Sequence, residues 1–248
     1  KTLGNIEVVA SSEDANFNYI PKRFEIPSDA EYFHYTSNNT IFGTQYHEVP
    51  QTDIPIVCDM SSDIFSRKVD ISKFGLIYAG AQKNMGPAGA TLAIIKDSLL
   101  GKNDRNIPSM LNYEIHINKD SMFNTPPVFS VYVSMLTLDW LKKNGGVEAI
   151  ESVNKSKAEL LYDEIDRNSL FKGTAEKEDR SFMNVTFVLN DDSRADQFNQ
   201  MVAEERINGL KGHRSIGGYR ASMYNALPLT SVQVLVDVMR ELEEKHGN

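Results

Sequence analysis

Apolar residues in this chain come in two patterns, short unbroken runs and longer stretches at helical spacing. Phe74 to Tyr78 and Thr91 to Ile95 are short runs rich in Ile and Leu, and Ile54-Pro55-Ile56-Val57-Cys58 runs straight into Asp59. Such runs, bounded by turn residues, predict buried strands. Tyr32-Phe33-His34-Tyr35 predicts another by its aromatic content. Ile6 to Ser12 reads as a strand ending in polar residues, and Asn18-Tyr19-Ile20-Pro21 interrupts any element after it, because proline forces its neighbour out of helical geometry. Thr36 to Gly43 predicts a polar loop. Asp97 to Ser109 reads as a helix end and loop with a turn at Gly101 to Arg105. Met110 to Asn118 and Ser121 to Pro127 read as irregular.

From Pro127 the period changes. Val128, Tyr132, Met135, Leu136, Leu138 and Leu141 recur at helical spacing and predict a long amphipathic helix to Lys143. Asn144-Gly145-Gly146 stops it, which sets an expected boundary between residues 1–143 and residues 144–248. A second helix, dense in charge, is predicted over Val147 to Asn168. A strand at Met183 to Leu189, a helix at Ala195 to Glu205, a strand near Tyr219 to Tyr224 and a helix at Ser231 to Lys245 complete the pattern. The first part is therefore α/β and the second a small α+β unit.

Composition narrows the function. The chain has 248 residues, enough to bury a substantial core, and 41% hydrophobic with 24% charged residues is ordinary for a globular protein. No apolar run approaches the ~20 residues that span a bilayer. The net charge of −8 argues against nucleic acid or an anionic membrane as main partner. One cysteine, Cys58, excludes an internal disulfide and fits a reducing compartment. No Cys or His pair has metal spacing, so no metal is expected. No Gly-x-Ser-x-Gly elbow is present.

The chemistry concentrates in Ile77-Tyr78-Ala79-Gly80-Ala81-Gln82-Lys83-Asn84-Met85-Gly86-Pro87-Ala88-Gly89-Ala90. One lysine sits among small residues on a turn between two predicted strands. Partial burial there lowers its pKa and frees its amine for Schiff-base chemistry; the bland reading is a solvated surface turn. It is not a phosphate-binding P-loop, because Asn84 stands where that motif needs Ser or Thr. Asp59 ends a predicted buried strand, where ligands collect in open α/β sheets, or else it caps the next helix. In this acidic chain Lys211, His213, Arg214 and Arg220 cluster among Gly212, Gly217 and Gly218, as an anion site or a solvated basic loop. The donors of Thr36 to Gly43 suit a phosphate but also a plain turn. His34 and His47 read as structural or exposed, and His246 as exposed.

The Lys83 stretch resembles the cofactor-lysine segment of the phosphoserine aminotransferases, pyridoxal-phosphate enzymes of the aspartate-aminotransferase fold (fold type I). The strand ending in Asp59, the Asn124-Thr125 segment, Gly212-His213-Arg214 and Gly217-Gly218-Tyr219-Arg220-Ala221-Ser222 match the same family in the same order. The resemblance implies a part of the large cofactor-binding domain followed by the small C-terminal domain. About a third of the family's length, with a phosphate-binding turn and a ring-stacking aromatic, would precede Lys1, and the chain alone is then expected to be weak or inert. It implies pyridoxal 5'-phosphate carried by Lys83, with Asp59 at the ring nitrogen. Thr40 and Gln82 would position ring and phosphate, and Asn124 and Thr125 would reach the partner's cofactor in a homodimer. Arg220 would hold the substrate α-carboxylate, and His213 and Arg214 the distal anion. The implied reaction joins L-glutamate and 3-phosphohydroxypyruvate to O-phosphoserine and 2-oxoglutarate in the cytoplasm, with a related step of pyridoxine biosynthesis also implied. The rivals are another fold-type-I enzyme, such as a desulfurase or alanine-type aminotransferase, and a segment that folds and dimerises without cofactor.

Overall fold

The computed structural model describes residues 4–102, 105–214 and 216–246; Asn103 and Asp104 of the expected turn lie outside them. Four strands build the first sheet: β1 (Phe33–Thr36), β4 (Ile56–Asp59), β5 (Leu76–Gly80) and β6 (Thr91–Ile95). They lie in the order β1-β4-β5-β6, with β1 and β5 parallel to β4 and β6 antiparallel to β5. A two-stranded hairpin, β2 (Asn38–Asn39) and β3 (Thr44–Gln45), comes after β1, its first strand and turn within the expected polar loop and its second strand just past it. Alternate residues of β4 and β5 point into one apolar cluster, where Ile56, Cys58, Ile77 and Ala79 meet Phe33, Tyr35, Met60 and Met85. The opposite alternation leaves Asp59 and Tyr78, register partners, on the other face. Cys58 is fully buried and its thiol is pushed up to about 12 by that burial.

Helices and a second sheet carry the rest. Helix α1 (Tyr113–Ile117) is short and N-capped by Asn112, whose Oδ1 accepts from the Glu114 amide at 2.9 Å. It falls in the segment expected to be irregular, where a cap and one turn sufficed. Helix α2 (Val128–Lys143) starts where expected but buries a different face. Val128, Tyr132, Met135 and Leu136 are exposed, as are Phe129, Val131 and Trp140, whereas Ser130 and Leu141 are buried. The periodicity found the helix, but apolar residues on several of its sides hid which side packs.

Helix α3 (Gly146–Arg167) begins after Gly145, which lies in the left-handed region, and packs on helix α5 (Leu229–His246). Strands β7 (Phe171–Gly173), β8 (Asn184–Leu189) and β9 (Tyr219–Ser222) form an antiparallel sheet with β8 central. Helix α4 (Ala195–Glu204) joins it, and Leu161, Ile165, Val185, Phe187, Phe198, Val236, Met239 and Leu242 make a second apolar cluster. Strand β7 is too short to leave a period-two signal.

Three further expectations fail. Strand β6, expected to be buried, lies at the edge of its sheet and has no buried residue. Residues 6–12 form no strand, and Ile6 and Val8 are 58% and 70% exposed. Among the described residues no strand edge pairs with them, and an apolar run without a hydrogen-bonding neighbour stays extended coil. His246 is half-buried rather than exposed: its Nδ1 lies 3.2 Å from an Arg194 Nη1, and since a guanidinium only donates, Nδ1 accepts.

Candidate active site

The C-terminal ends of β1, β4 and β5 open onto one place. Asp59 is the last residue of β4, with Thr36 and Tyr78 as its register partners. Its Oδ1 accepts the Ser61 amide at 2.8 Å, and Ser61 Oγ accepts the Gly80 amide at 3.1 Å. The turns after β4 and β5 are thereby tied together. Tyr78 stands beside Asp59; burial raises its phenol pKa, and the Asp59 charge adds to this. Its Oη meets His34 Nε2 at 3.1 Å.

The turn after β5 is one helical loop, in which the Met85 and Gly86 amides donate to the Ala81 carbonyl at 3.1 and 2.8 Å. The Ala81 amide donates to the Ala90 carbonyl at 3.0 Å and closes the neck. Helix α2 supports the far side, where Ser130 Oγ donates to the Ala88 carbonyl at 2.8 Å. This frame presents Lys83, half-buried, with Nζ donating to Thr40 Oγ1 at 2.7 Å. Burial lowers the Lys83 pKa from the ordinary lysine value; Asp59 works against that and Arg220 adds to it. Thr40 sits between β2 and β3, and its carbonyl accepts from Arg220 Nη1 at 3.4 Å. Arg220 Nε is buried with no partner among the described residues.

Arg220 arrives from the second sheet. In β9 it pairs with Thr186 of β8, and its amide donates to the Leu210 carbonyl at 2.7 Å. Residues 210–212 thus run antiparallel to residues 218–220, and the Gly212 amide donates to the Gly218 carbonyl at 2.8 Å. A Cβ on Gly212 would lie 2.0 Å from the Gly217 carbonyl oxygen, so this close crossing needs glycine. His213 and Arg214 occupy the tip, His213 half-buried and Arg214 exposed.

The fold brings Lys83, Thr40, Asp59 and Arg220 together from the first sheet, the β2–β3 hairpin and the second sheet. Gln82 is exposed next to Lys83 and folds back over Gly80, where a Cβ would lie 2.5 Å from its Oε1. Asn124 and Thr125 are exposed in the segment before α2, with Asn124 Nδ2 donating to the Thr125 carbonyl at 3.1 Å. Two buried side chains escaped the sequence reading. Asp63 accepts from Ser37 Oγ and from Gln45 Nε2 at 3.2 Å, and lies 3.5 Å from Arg67; burial raises its pKa and Arg67 opposes this. Asn84, next to Lys83, bonds to the Ile64 carbonyl on one side and to the Asn225 amide on the other. Its place in the small-residue stretch was the available signal; Asp63 had none.

Known proteins share this fold and much of its sequence. The sequence profile described as aminotransferase class-V matches residues 2–235. A phosphoserine aminotransferase of Flavobacterium psychrophilum is 66% identical over 245 residues, spanning 99% of this chain and 69% of that relative. A solved phosphoserine aminotransferase structure, concerned with radiation damage of its Schiff base, matches with TM-score 0.94 and 45% identity over 99% of this chain and 69% of that one. The phosphoserine aminotransferase of Bacillus circulans subsp. alkalophilus superposes with TM-score 0.95 at 40% identity, with the same coverage. A match along nearly the whole chain, with a half-buried lysine on a turn at the strand ends, leads to one conclusion: the chain belongs to the class-V aminotransferases and, within them, to the phosphoserine aminotransferase family.

Proposed function

We propose that Lys83 carries the cofactor and moves the proton in a phosphoserine aminotransferase reaction, with Asp59, Thr40 and Arg220 around it. The activity is transfer of an amino group between L-glutamate and 3-phosphohydroxypyruvate, giving O-phospho-L-serine and 2-oxoglutarate, with pyridoxal 5'-phosphate as cofactor. The residues present fit that group. A half-buried amine of lowered pKa suits an imine link, and a carboxylate at a strand end suits a protonated ring nitrogen. The buried Nε of Arg220, without a partner among the described residues, suits an incoming anion. When bound, pyridoxal 5'-phosphate supplies a conjugated ring that takes up the electron pair left at the substrate Cα.

The chain's own residues do the rest. Lys83 Nζ would take the proton from the substrate Cα, and its lowered pKa leaves more of it as free base. Asp59, oriented by the Ser61 amide, holds the proton at the ring nitrogen. Thr40, already bonded to Nζ, receives the amine when it is free, and Gln82 positions the ring and phosphate. Arg220 grips the α-carboxylate shared by both substrates, a two-point contact that orients Cα. His213 and Arg214 at the hairpin tip meet the distal phosphate or carboxylate.

The assembly reading is a homodimer with a shared site. Its support is the exposure of Asn124 and Thr125 next to α2, whose Val128, Phe129 and Tyr132 are also exposed. The two apolar clusters support a division near residues 143 and 144. The lone cysteine, buried and free, supports a reducing compartment such as the cytoplasm.

The observation that carries the reading is the Lys83 amine bonded to Thr40 between Asp59 and Arg220. Borohydride reduction of the cofactor-loaded enzyme, with peptide mapping afterwards, is expected to place the pyridoxyl label on Lys83. A label on any other lysine refutes the assignment.

A further inference from the structure

Asn84 is buried together with Asn225, Asn154 and Lys157. Its Oδ1 accepts the Asn225 amide at 3.0 Å, and its Nδ2 donates to the Ile64 carbonyl at 3.0 Å. Asn225 answers through its side chain: Nδ2 donates to the Phe65 carbonyl at 3.0 Å, and Oδ1 accepts from Asn154 Nδ2 at 2.9 Å. Asn154 Nδ2 also donates to the Ser66 carbonyl at 3.1 Å. Behind this, Lys157 Nζ donates to the carbonyls of Met223, Tyr224 and Leu227 at 3.0, 3.0 and 3.1 Å. Phe65 has a φ of 58°, a left-handed backbone that a phenylalanine adopts at a cost. Its carbonyl is one of those held.

These contacts join the Lys83 turn to the segment leaving β9, and Arg220 lies just upstream in β9. A second link exists, from Arg220 to the Thr40 carbonyl and from Thr40 Oγ1 to Lys83 Nζ. That link runs through the reacting amine, so it opens whenever the amine is engaged. The asparagine link touches neither Nζ nor the Arg220 guanidinium.

We propose that Asn84 and Asn225 are positioning residues that keep Arg220 at a fixed distance from Lys83 through the catalytic cycle, with Lys157 bracing the turn that carries Asn225. The proposal rests on the roles of Lys83 as cofactor lysine and Arg220 as carboxylate grip. If the link loosens, substrate still reaches the arginine, but its Cα is presented to the lysine over a range of distances, and proximity is lost.

The test uses cofactor-loaded enzyme with Asn84→Ala and Asn225→Ala. Each is expected to lower kcat at least tenfold for L-glutamate and O-phosphoserine alike, with KM changing less than kcat, while borohydride still labels Lys83 stoichiometrically. A kcat within twofold of the unsubstituted enzyme in both variants overturns the proposal. So does loss of label in proportion to kcat, which would make the asparagines mere supports of the cofactor pocket. A wild-type label on a different lysine refutes the underlying reading instead. If the variants do not fold, hydrogen exchange on the unsubstituted enzyme decides. The Asn225 amide should be protected at least 100-fold relative to unstructured peptide, equally with and without saturating glutamate. Fast exchange, or a tenfold change with glutamate, overturns the link.

Discussion

Gly43 is where the loop carrying Thr40 crosses the second sheet, and Gly43→Ala should be costly for reasons that can be separated. Its φ is +73°, where an L side chain costs about 1–2 kcal/mol. The new Cβ would lie 2.3 Å from Thr186 Oγ1, 3.1 Å from Thr186 Cγ2 and 2.8 Å from the Asn184 carbonyl oxygen. Thr186 cannot swing away freely, because its Oγ1 donates to the Phe42 carbonyl at 3.0 Å and accepts from Thr174 Oγ1 at 2.6 Å. Asn184 belongs to the central strand of its sheet and cannot yield. Overpacking of this kind adds about 1–3 kcal/mol, for a total of roughly 2–5 kcal/mol. Thr186→Ala alone breaks two hydrogen bonds and should cost about 1–2 kcal/mol. The double variant should be more stable than the sum of the two by at least about 1 kcal/mol, since the hydroxyl clash is gone while the backbone strain remains. Urea denaturation at constant m-value measures all three. A Gly43→Ala variant within about 0.5 kcal/mol of wild type, or an additive cycle, would refute the reasoning.

Three more outcomes are expected. In cofactor-free protein, Asp59→Asn should lower the Lys83 pKa further and Arg220→Ala should raise it, read from the pH dependence of amine labelling mapped to Lys83; shifts of the opposite sign would mean these charges do not reach the amine. In the loaded enzyme, Arg220→Ala should lower kcat/KM for glutamate and phosphoserine alike, whereas Arg214→Ala should hurt phosphoserine more, by roughly 1.5–3 kcal/mol. The reverse pattern would exchange the two arginines' roles. Burial lowers the Lys157 ammonium to about 8, so between pH 8 and the ordinary lysine value the unfolded chain binds more protons than the folded one. Stability should therefore rise with pH across that window, by up to about 3 kcal/mol relative to Lys157→Gln; a flat difference in thermal melts would show that Lys157 does not titrate there.

What the sequence disclosed was local. The run of apolar residues into Asp59 and the run before Lys83 are strands whose alternate residues are buried, and their ends put acid and amine at one edge, whereas the run after Lys83 is a strand at the sheet's edge with no buried residue. The helix from residue 128 was legible too, but not its buried side, because Phe129, Val131 and Trp140 break the single apolar stripe. The strand expected at residues 6–12 shows the opposite failure, for pairing depends on a neighbouring edge that no period reveals. Nothing in the periodicity marks Asn84 or Asn225, and only the tertiary packing makes them buried partners. Resemblance named Arg220 as the substrate grip; it did not show the Nε, unpartnered among the described residues, that a ligand would satisfy.

Cys58, one position before Asp59 in β4, gives the molecule a built-in clock. It is the sole thiol in the chain, fully enclosed, and at pH 8 a group of pKa about 12 is ionised in only about one molecule in ten thousand. A thiol reagent can therefore reach it only when the strand bearing Asp59 opens, and no second cysteine contributes to the signal. The rate of its modification measures how often the strand that ends in Asp59 breathes. Slowing of that rate when cofactor is added would convert directly into the free energy by which binding closes the sheet.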